Sequence, residues 1–120
     1  MKLSIVLAAT ILAAAGAALA AGDAQNGKAL YAQCAACHSL ETADNTLGPN
    51  LKAVVGRKAG AVEDFTYSPP MRRAVITWTP ETLDAFLTDP QAVVAGTKMP
   101  FAGMASATDR ADLIAFLQSQ

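Results

Sequence analysis

Both cysteines of this sequence stand beside its one histidine. They form the segment Cys34-Ala35-Ala36-Cys37-His38 in a chain of 120 residues. Two thiols three residues apart on a helical turn can bond both vinyl groups along one edge of a haem, and the adjacent imidazole can then bind the iron. This C-x-x-C-H spacing predicts covalent attachment of one c-type haem.

Three other chemistries of these residues remain as alternatives. A thioredoxin-like redox pair needs a β-α-β context and leaves the histidine without a role. A structural zinc site needs four ligands, whereas Cys34, Cys37 and His38 supply three, and the sequence contains no further Cys or His. A plain disulfide across two intervening residues closes a tight, strained loop.

The N-terminal segment has the pattern of an export signal. Sixteen of the first 20 residues are apolar, Lys2 supplies a positive start, and the small residues Ala18 and Ala20 form an A-x-A cleavage site. We therefore expect a signal peptide over residues 1–20, cleaved after Ala20, and one domain over residues 21–120. The predicted location is the periplasm, which is consistent with the C-x-x-C-H motif because bacteria attach c-type haem outside the cytoplasm. The alternative is an uncleaved anchor, since the apolar stretch just reaches the roughly 18 residues that a spanning helix needs.

The composition of residues 21–120 limits both the core and the partners. Nineteen of their 47 apolar residues are alanine, which buries little surface, so a domain of this size is short of core volume. A large apolar cofactor would supply that volume. Without Lys2, eight basic and ten acidic side chains remain, too little positive charge to bind nucleic acid by neutralising phosphates.

Helix signals separated by irregular stretches predict an all-α fold of about four to five helices, with long loops wrapped around the haem. The predicted helix starts are capped by Asp23, Thr79 and Ser106, and Ser68-Pro69-Pro70 could open a short helical turn through Ala74. We expect at best a short helix over residues 50–55 and no helix over residues 92–107, which contain two glycines and a proline. No stretch alternates convincingly as a strand.

An iron bound by His38 keeps one axial position for another ligand, and function depends on what fills it. With no second histidine, the candidates after residue 20 are Met71, Met99 and Met104. Any single methionine is most simply a core residue. Met99, however, lies in the segment 96–103, where glycine and proline restrict the backbone and Thr97 and Phe101 could hydrogen-bond and cover the site. We therefore expect His38 and Met99 as the axial ligands.

The chain resembles class I monohaem cytochrome c, of the short mitochondrial and bacterial electron-carrier type, over residues 22–118. The matching segments are, in order, Gly22-Asp23, Gly27-Lys28, Cys34 to His38, Gly48-Pro49-Asn50-Leu51, Gly56-Arg57-Lys58, Phe65-Thr66-Tyr67, Ile76-Thr77-Trp78, Glu81-Thr82-Leu83, Gly96 to Gly103 and Asp112-Leu113-Ile114-Ala115. The resemblance implies the cytochrome c fold around one covalently attached haem c.

The resemblance also implies roles for residues that spacing alone does not single out. The backbone carbonyl of Pro49 would accept a hydrogen bond from the His38 ring, which sets the tautomer and strengthens the ligand. Arg57, Tyr67 and Trp78 correspond to groups that hold a buried haem propionate. These three residues and Pro49 therefore join the predicted cofactor-binding set.

By the same resemblance, the first helix crosses the last one. Gly27 and Tyr31 would meet Leu113 and Phe116. Glycine is costly inside a helix, and a close approach of two helix backbones would explain its presence there.

The sequence departs from the mitochondrial type around the exposed haem edge. That type carries lysines that dock onto acidic partners, whereas this chain has Gln33, Gln91, Ala92 and the segment 105–107 in much of that ring, with Lys98 retained. We therefore expect weak long-range steering toward acidic surfaces.

These observations predict a periplasmic one-electron carrier, not an enzyme, with electrons passing through a haem edge near Cys37 and Phe101. The expected partners are respiratory or other redox proteins. We expect a monomer without membrane insertion after signal cleavage. An electron-transfer subunit of a larger oxidoreductase is the alternative with the same chemistry. A small haem peroxidase would need an open iron and a distal acid–base residue, and a gas sensor would need Met99 to leave the iron easily.

Overall fold

A computed structural model describes residues 21–41 and 44–120 of the chain. Its helices are Ala24–Leu30 (α1), Pro69–Arg73 (α2), Pro80–Thr88 (α3), Pro90–Val93 (α4) and Ala107–Gln118 (α5), with a 3-10 turn at Tyr31–Gln33 after α1. In this part of the chain, extended pairing is limited to an isolated antiparallel bridge between Lys58 and Thr77. The predicted all-α class is confirmed.

The predicted signal peptide, residues 1–20, lies outside the described residues. Among the helices of the described part, none combines the length and apolar character needed to span a bilayer.

The three predicted caps begin their helices, and Ser68 also caps the short helix α2. Asp23, Ser68, Thr79 and Ser106 each accept a hydrogen bond from a backbone N–H in the first turn of the helix that follows. Thr79 and Thr82 also form a reciprocal capping box at the start of α3. Such caps satisfy N–H groups that have no partner within the helix, so these starts depend on local sequence.

Two local predictions are wrong. Residues 50–55 form turns and not a short helix. Helical geometry is interrupted by left-handed backbone conformations at Ala53, where φ is 51°, and at Gly56, where φ is 96°. Residues 90–93 form the short helix α4, which overlaps the stretch predicted to be irregular. Asp89 explains it, because its backbone N–H closes α3 while its side chain accepts a hydrogen bond from the Ala92 N–H and so caps a new helix.

Helices α1 and α5 cross in close contact. A Cβ on Gly27 would overlap the carbonyl group of Asp112 and would lie 2.8 Å from the Cβ of Phe116. The rings of Tyr31 and Phe116 pack with their centroids 5.3 Å apart. The glycine in α1 is therefore required by the approach of the two backbones, as the crossing predicted from the resemblance demands.

The buried carboxylate of Asp112 in α5 stabilises the same crossing through hydrogen bonds to residues at the start of α1. It accepts hydrogen bonds from the backbone N–H of Asp23 at 2.7 Å and from the side-chain amide of Asn26 at 2.7 Å. The Asn26 bond and then the Asp23 bond lower the pKa of Asp112 below its ordinary value. Because both bonds favour the charged form, Asp112 links the two helices as a carboxylate.

The buried apolar side chains of α3 and α5 face a central cavity. Leu83, Phe86 and Leu87 of α3 and Leu113 and Leu117 of α5 are buried and line it together. The core is thus built around a space, which accounts for the small number of bulky apolar residues in this alanine-rich chain.

Candidate cofactor site

One cavity of about 420 Å³ gathers most of the predicted site residues. Its lining includes Cys34, Cys37, His38, Pro49, Arg57, Tyr67, Trp78 and Met99. These residues come from segments far apart in the chain, so the loops that looked irregular in the sequence meet around this space. Its volume and mainly apolar walls are those of a site for a cofactor or small molecule.

The two thiols lie on a tight turn that follows the 3-10 turn at Tyr31–Gln33. The N–H groups of Cys37 and His38 both donate to the carbonyl of Cys34, at 3.1 and 3.0 Å, which continues the helical winding through the motif. Both thiols are free, and both line the cavity. Burial and then the neighbouring Cys37 raise the pKa of the Cys34 thiol. The motif therefore places two thiols and an imidazole on one wall.

The ring of His38 is held in one orientation by its neighbours. Its Nδ1 lies 2.7 Å from the carbonyl oxygen of Pro49, which can only accept, so Nδ1 carries the proton and donates. Burial lowers the pKa of His38, while the bond to Pro49 acts in the opposite direction. The neutral tautomer that results leaves Nε2 with the lone pair that a metal ion requires.

Gly48 makes this orientation possible. A Cβ at residue 48 would lie 2.5 Å from Cε1 and 2.7 Å from Nδ1 of His38. Gly48 belongs to a segment that resembles the family, but no role was predicted for it, because it lies ten positions from His38 in the sequence. Glycine leaves room for the imidazole to reach the Pro49 carbonyl.

The three methionines that could bind the iron differ in their position relative to the cavity. Met99 is half-buried and lines the cavity, and the buried Met71 of α2 lines it as well. Met104 is buried outside the cavity lining, and its N–H donates to the carbonyl of Leu87 at 2.7 Å. The geometry therefore leaves two thioethers, Met99 and Met71, at the site.

The side chain of Gln91, one of the residues that stand where the mitochondrial type carries lysines, braces the loop that carries Met99. The amide of Gln91 donates to the carbonyl of Thr97 at 2.8 Å, and its oxygen accepts from the N–H of Gly96 at 3.0 Å. Gly96 has φ of 88°, a conformation that favours glycine. Gln91 thereby fixes the turn that leads into Met99.

Arg57, Tyr67 and Trp78 bring polar groups to the otherwise apolar cavity. The guanidinium of Arg57 donates to the backbone carbonyl of Asn50 at 2.6 Å and to its side-chain oxygen at 3.2 Å. Burial lowers the pKa of Arg57. The phenol oxygen of Tyr67 accepts from the N–H of Val62 at 3.1 Å. These bonds orient donors that a carboxylate inside the cavity could use.

Phe101 lies beside the cavity and not in its lining. It is half-buried, packs against the hydrophobic core, and its N–H donates to the carbonyl of Met99 at 2.9 Å. Its observed contribution is to turn the backbone next to Met99, whereas the sequence suggested that its ring covers the site.

Known proteins are similar to this chain in sequence and in fold. A sequence profile described as Cytochrome c matches residues 24–120. The chain belongs to the cytochrome c family. Cytochrome c2 of Rhodomicrobium vannielii is 45% identical, with 100% of this chain and 95% of that protein aligned. Cytochrome c of Tetrahymena pyriformis is 50% identical, with 82% of this chain and 89% of that protein aligned.

A solved structure supports the fold assignment directly. Cytochrome cH from Methylobacterium extorquens superposes with a TM-score of 0.79 at 39% sequence identity, over 82% of this chain and 100% of that one. The predicted cytochrome c fold is confirmed.

Family membership implies one covalently attached haem c, and the residues present fit it. Cys34 and Cys37 fit the C-x-x-C-H motif, and both lie free on the cavity wall next to His38. Gly48 clears the space that the His38 ring occupies. The donor set of thiols, imidazole and thioether is the one that c-type haem uses in His/Met cytochromes.

Proposed function

We propose that this chain is a periplasmic one-electron carrier, with haem c bound through Cys34 and Cys37 and its iron ligated by His38 and Met99. The bound haem supplies an iron that takes up and releases a single electron. The observation that carries the proposal is the meeting of both thiols, the imidazole and the Met99 thioether at one apolar cavity. Membership in the cytochrome c family supports electron carriage over catalysis.

His38 is proposed as the first axial ligand through Nε2. Its Nδ1–H is committed to the Pro49 carbonyl at 2.7 Å, which sets the tautomer and raises the basicity of the other nitrogen. The lowered pKa of His38 keeps the ring unprotonated at neutral pH, so no proton has to leave before it binds a metal.

Met99 is proposed as the second axial ligand in preference to Met71. Its segment, residues 96–103, is among those that resemble the family, and none of the resembling segments contains Met71. The brace from Gln91 holds that segment in place. A neutral thioether adds no negative charge to the iron, and His/Met ligation therefore raises the reduction potential.

The cavity walls are proposed to keep water away from the redox centre. Leu83, Leu87 and Leu113 are each less than one-tenth exposed and line the cavity. Packed apolar walls rearrange little when the charge beside them changes. We expect this rigidity to keep structural rearrangement small during electron uptake and release.

Arg57, Tyr67 and Trp78 are proposed to hold a haem propionate. Guanidinium, phenol and indole groups all supply N–H or O–H donors, and all three side chains line the cavity. A buried carboxylate is costly unless it is paired and hydrogen-bonded, so these donors would be required wherever a propionate turns inward.

Export and cleavage after Ala20 complete the proposal and have a direct test. Mass spectrometry of the protein extracted from periplasm should give residues 21–120 plus one haem. Retention of residues 1–20 in a membrane fraction would replace the free carrier by an anchored one. Stable co-purification with a larger oxidoreductase would identify a bound subunit.

The carrier function is tested by an absorption spectrum and a redox titration of the periplasmic protein. We expect a single one-electron transition and no carbon monoxide binding to the reduced protein, because both axial positions are filled. Met99→Ala is the matched control, since opening one axial position should permit carbon monoxide to bind. Rapid, tight binding by the unaltered protein would contradict the carrier function and favour a gas sensor or peroxidase.

A further inference from the structure

The Met99 segment, residues 96–103, is followed by a firmly attached stretch of chain. The N–H of Met104 donates to the carbonyl of Leu87 at 2.7 Å. The guanidinium of Arg110 donates to the carbonyl of Met104 at 2.8 Å and pairs with the carboxylate of Asp84 at 2.8 Å. Helices α3 and α5 therefore both hold the C-terminal end of the segment.

The N-terminal end of the segment depends mainly on one side chain. The N–H of Thr97 donates to the carbonyl of Val94 at 3.0 Å. Among the residues that the structure describes, Gln91 makes the other two hydrogen bonds of the Gly96 and Thr97 backbone, one as donor and one as acceptor. A side-chain amide has both functions, so Gln91 pairs with this backbone as a second peptide group would.

Gln91 has a fixed base and an exposed side chain. It is the second residue of α4 and follows Pro90, whose side chain is less than 2% exposed. The buried proline holds the start of the helix in place. The Gln91 side chain is exposed, so its two hydrogen bonds can exchange with water without disturbing the core.

The position of Thr97 couples these bonds to Met99. Thr97 is buried, lines the cavity and precedes Met99 by two residues. Without the Gln91 bonds, the N-terminal end can move while the C-terminal end stays attached, with Gly103, at φ of 115°, as the hinge. Lys98 also donates to the carbonyl of Thr66, but its long flexible side chain can follow such a movement.

We propose that Gln91 is a positioning residue that sets how readily Met99 leaves the iron, and thereby how weakly small external ligands bind there. The proposal rests on the proposed function, because it takes Met99 as an axial ligand. An external ligand binds only the conformation from which Met99 has withdrawn, so its apparent affinity falls with the fraction of protein in that conformation. Bonds made only in the closed conformation lower that fraction.

Imidazole is the probe for this role in the ferric holoprotein. Its binding is followed by the loss of the sulfur-to-iron charge-transfer absorption. Gln91→Leu keeps most of the side-chain volume and removes both hydrogen bonds, so it should lower the apparent Kd of imidazole by about three- to tenfold. Gln91→Asn, which is one methylene shorter and cannot bridge both backbone groups, should have an effect in the same direction.

Two controls separate positioning from general destabilisation. Gln25 is also the second residue of its helix, is exposed, and its side chain makes no hydrogen bond with the described residues. Gln25→Leu should therefore leave the affinity for imidazole unchanged. Gly27→Ala strains the crossing of α1 and α5, so it should lower the urea midpoint with no change in imidazole affinity.

Dilute urea tests whether the opening is local. A local opening exposes little surface, so urea well below the unfolding midpoint should leave the imidazole affinity of Gln91→Leu nearly unchanged. A steep rise in affinity over that range would instead indicate global unfolding and overturn the proposal.

The other contrary results are equally distinct. An unchanged imidazole affinity in both Gln91 variants would overturn the positioning role. An equal gain in affinity for Gln25→Leu or Gly27→Ala would also overturn it, because the effect would then follow overall stability. The assignment of Met99 as ligand fails separately, if the unaltered protein lacks the sulfur-to-iron absorption or if Met99→Leu retains it.

Discussion

Substitution of Gly48 by alanine should displace the ring of the proposed iron ligand His38 by adding a single methyl group beside it. The new Cβ would lie 2.5 Å from Cε1 of His38, whereas carbon atoms in contact sit about 3.5–4.0 Å apart. The imidazole must therefore move by about 1 Å. The bond from Nδ1 to the Pro49 carbonyl, now 2.7 Å, would lengthen to about 3.7 Å if the ring moved directly away, which no longer counts as a hydrogen bond.

The expected effect on the reduction potential follows from that lost bond. Hydrogen bonding at Nδ1 strengthens the imidazole as a donor to the metal, which favours the ferric state. A neutral hydrogen bond contributes about 0.5–1.5 kcal/mol, and a tenfold change in equilibrium, about 1.4 kcal/mol, equals about 59 mV for one electron. Because the bond is made in both oxidation states, only the difference in its strength shifts the potential, so Gly48→Ala should raise the potential by at most about 60 mV.

Redox titration of the holoprotein measures this shift, and Gly56→Ala provides a matched control. Gly56 has φ of 96° and open space around its missing Cβ. Alanine there should cost about 1–2 kcal/mol of stability through backbone strain while leaving the potential unchanged. An unchanged or lower potential for Gly48→Ala, with the haem still bound, would refute the argument, as would an equal shift in both variants.

The remaining predictions concern the sixth ligand, the helix crossing and acid stability. Met99→Leu should abolish the sulfur-to-iron charge-transfer absorption and lower the potential, whereas Met71→Leu should preserve both; the reverse outcome would assign the ligand to Met71. Gly27→Ala should lower the free energy of unfolding in urea by about 1–3 kcal/mol through overpacking, and an unchanged value would contradict the close helix approach. The lowered pKa of Asp112 means that its stabilisation is complete above about pH 4, the ordinary carboxyl pKa, and is lost as pH falls through the folded-state value. Asp112→Asn should flatten the fall of the urea midpoint at low pH, and a fall as steep as in the unaltered protein would argue against a link through Asn26.

Local features were predictable because neighbouring residues determine them. The C-x-x-C-H motif places its three reactive groups within five residues, so its chemistry does not depend on the rest of the fold. The helix caps at Thr79 and Ser106 act on N–H groups within the next turn. Asp89 shows where local patterns become ambiguous, since one residue closes α3 and opens α4.

The sequence by itself determined the haem-attachment motif, the all-α class, the positions of four helix starts and the need for a cofactor to complete the core. The tertiary structure alone decided that Met71 joins Met99 at the cavity while Met104 does not, that Gly48 makes room for the His38 ring, and that Lys98 is held by Thr66. The reason is physical: Gly48, Lys98, Met99 and Met104 lie in loops without periodicity, and Met71 lies in the five-residue helix α2, which is too short to show a periodic pattern. Their surroundings are set by packing between segments distant in the chain, which no local pattern records.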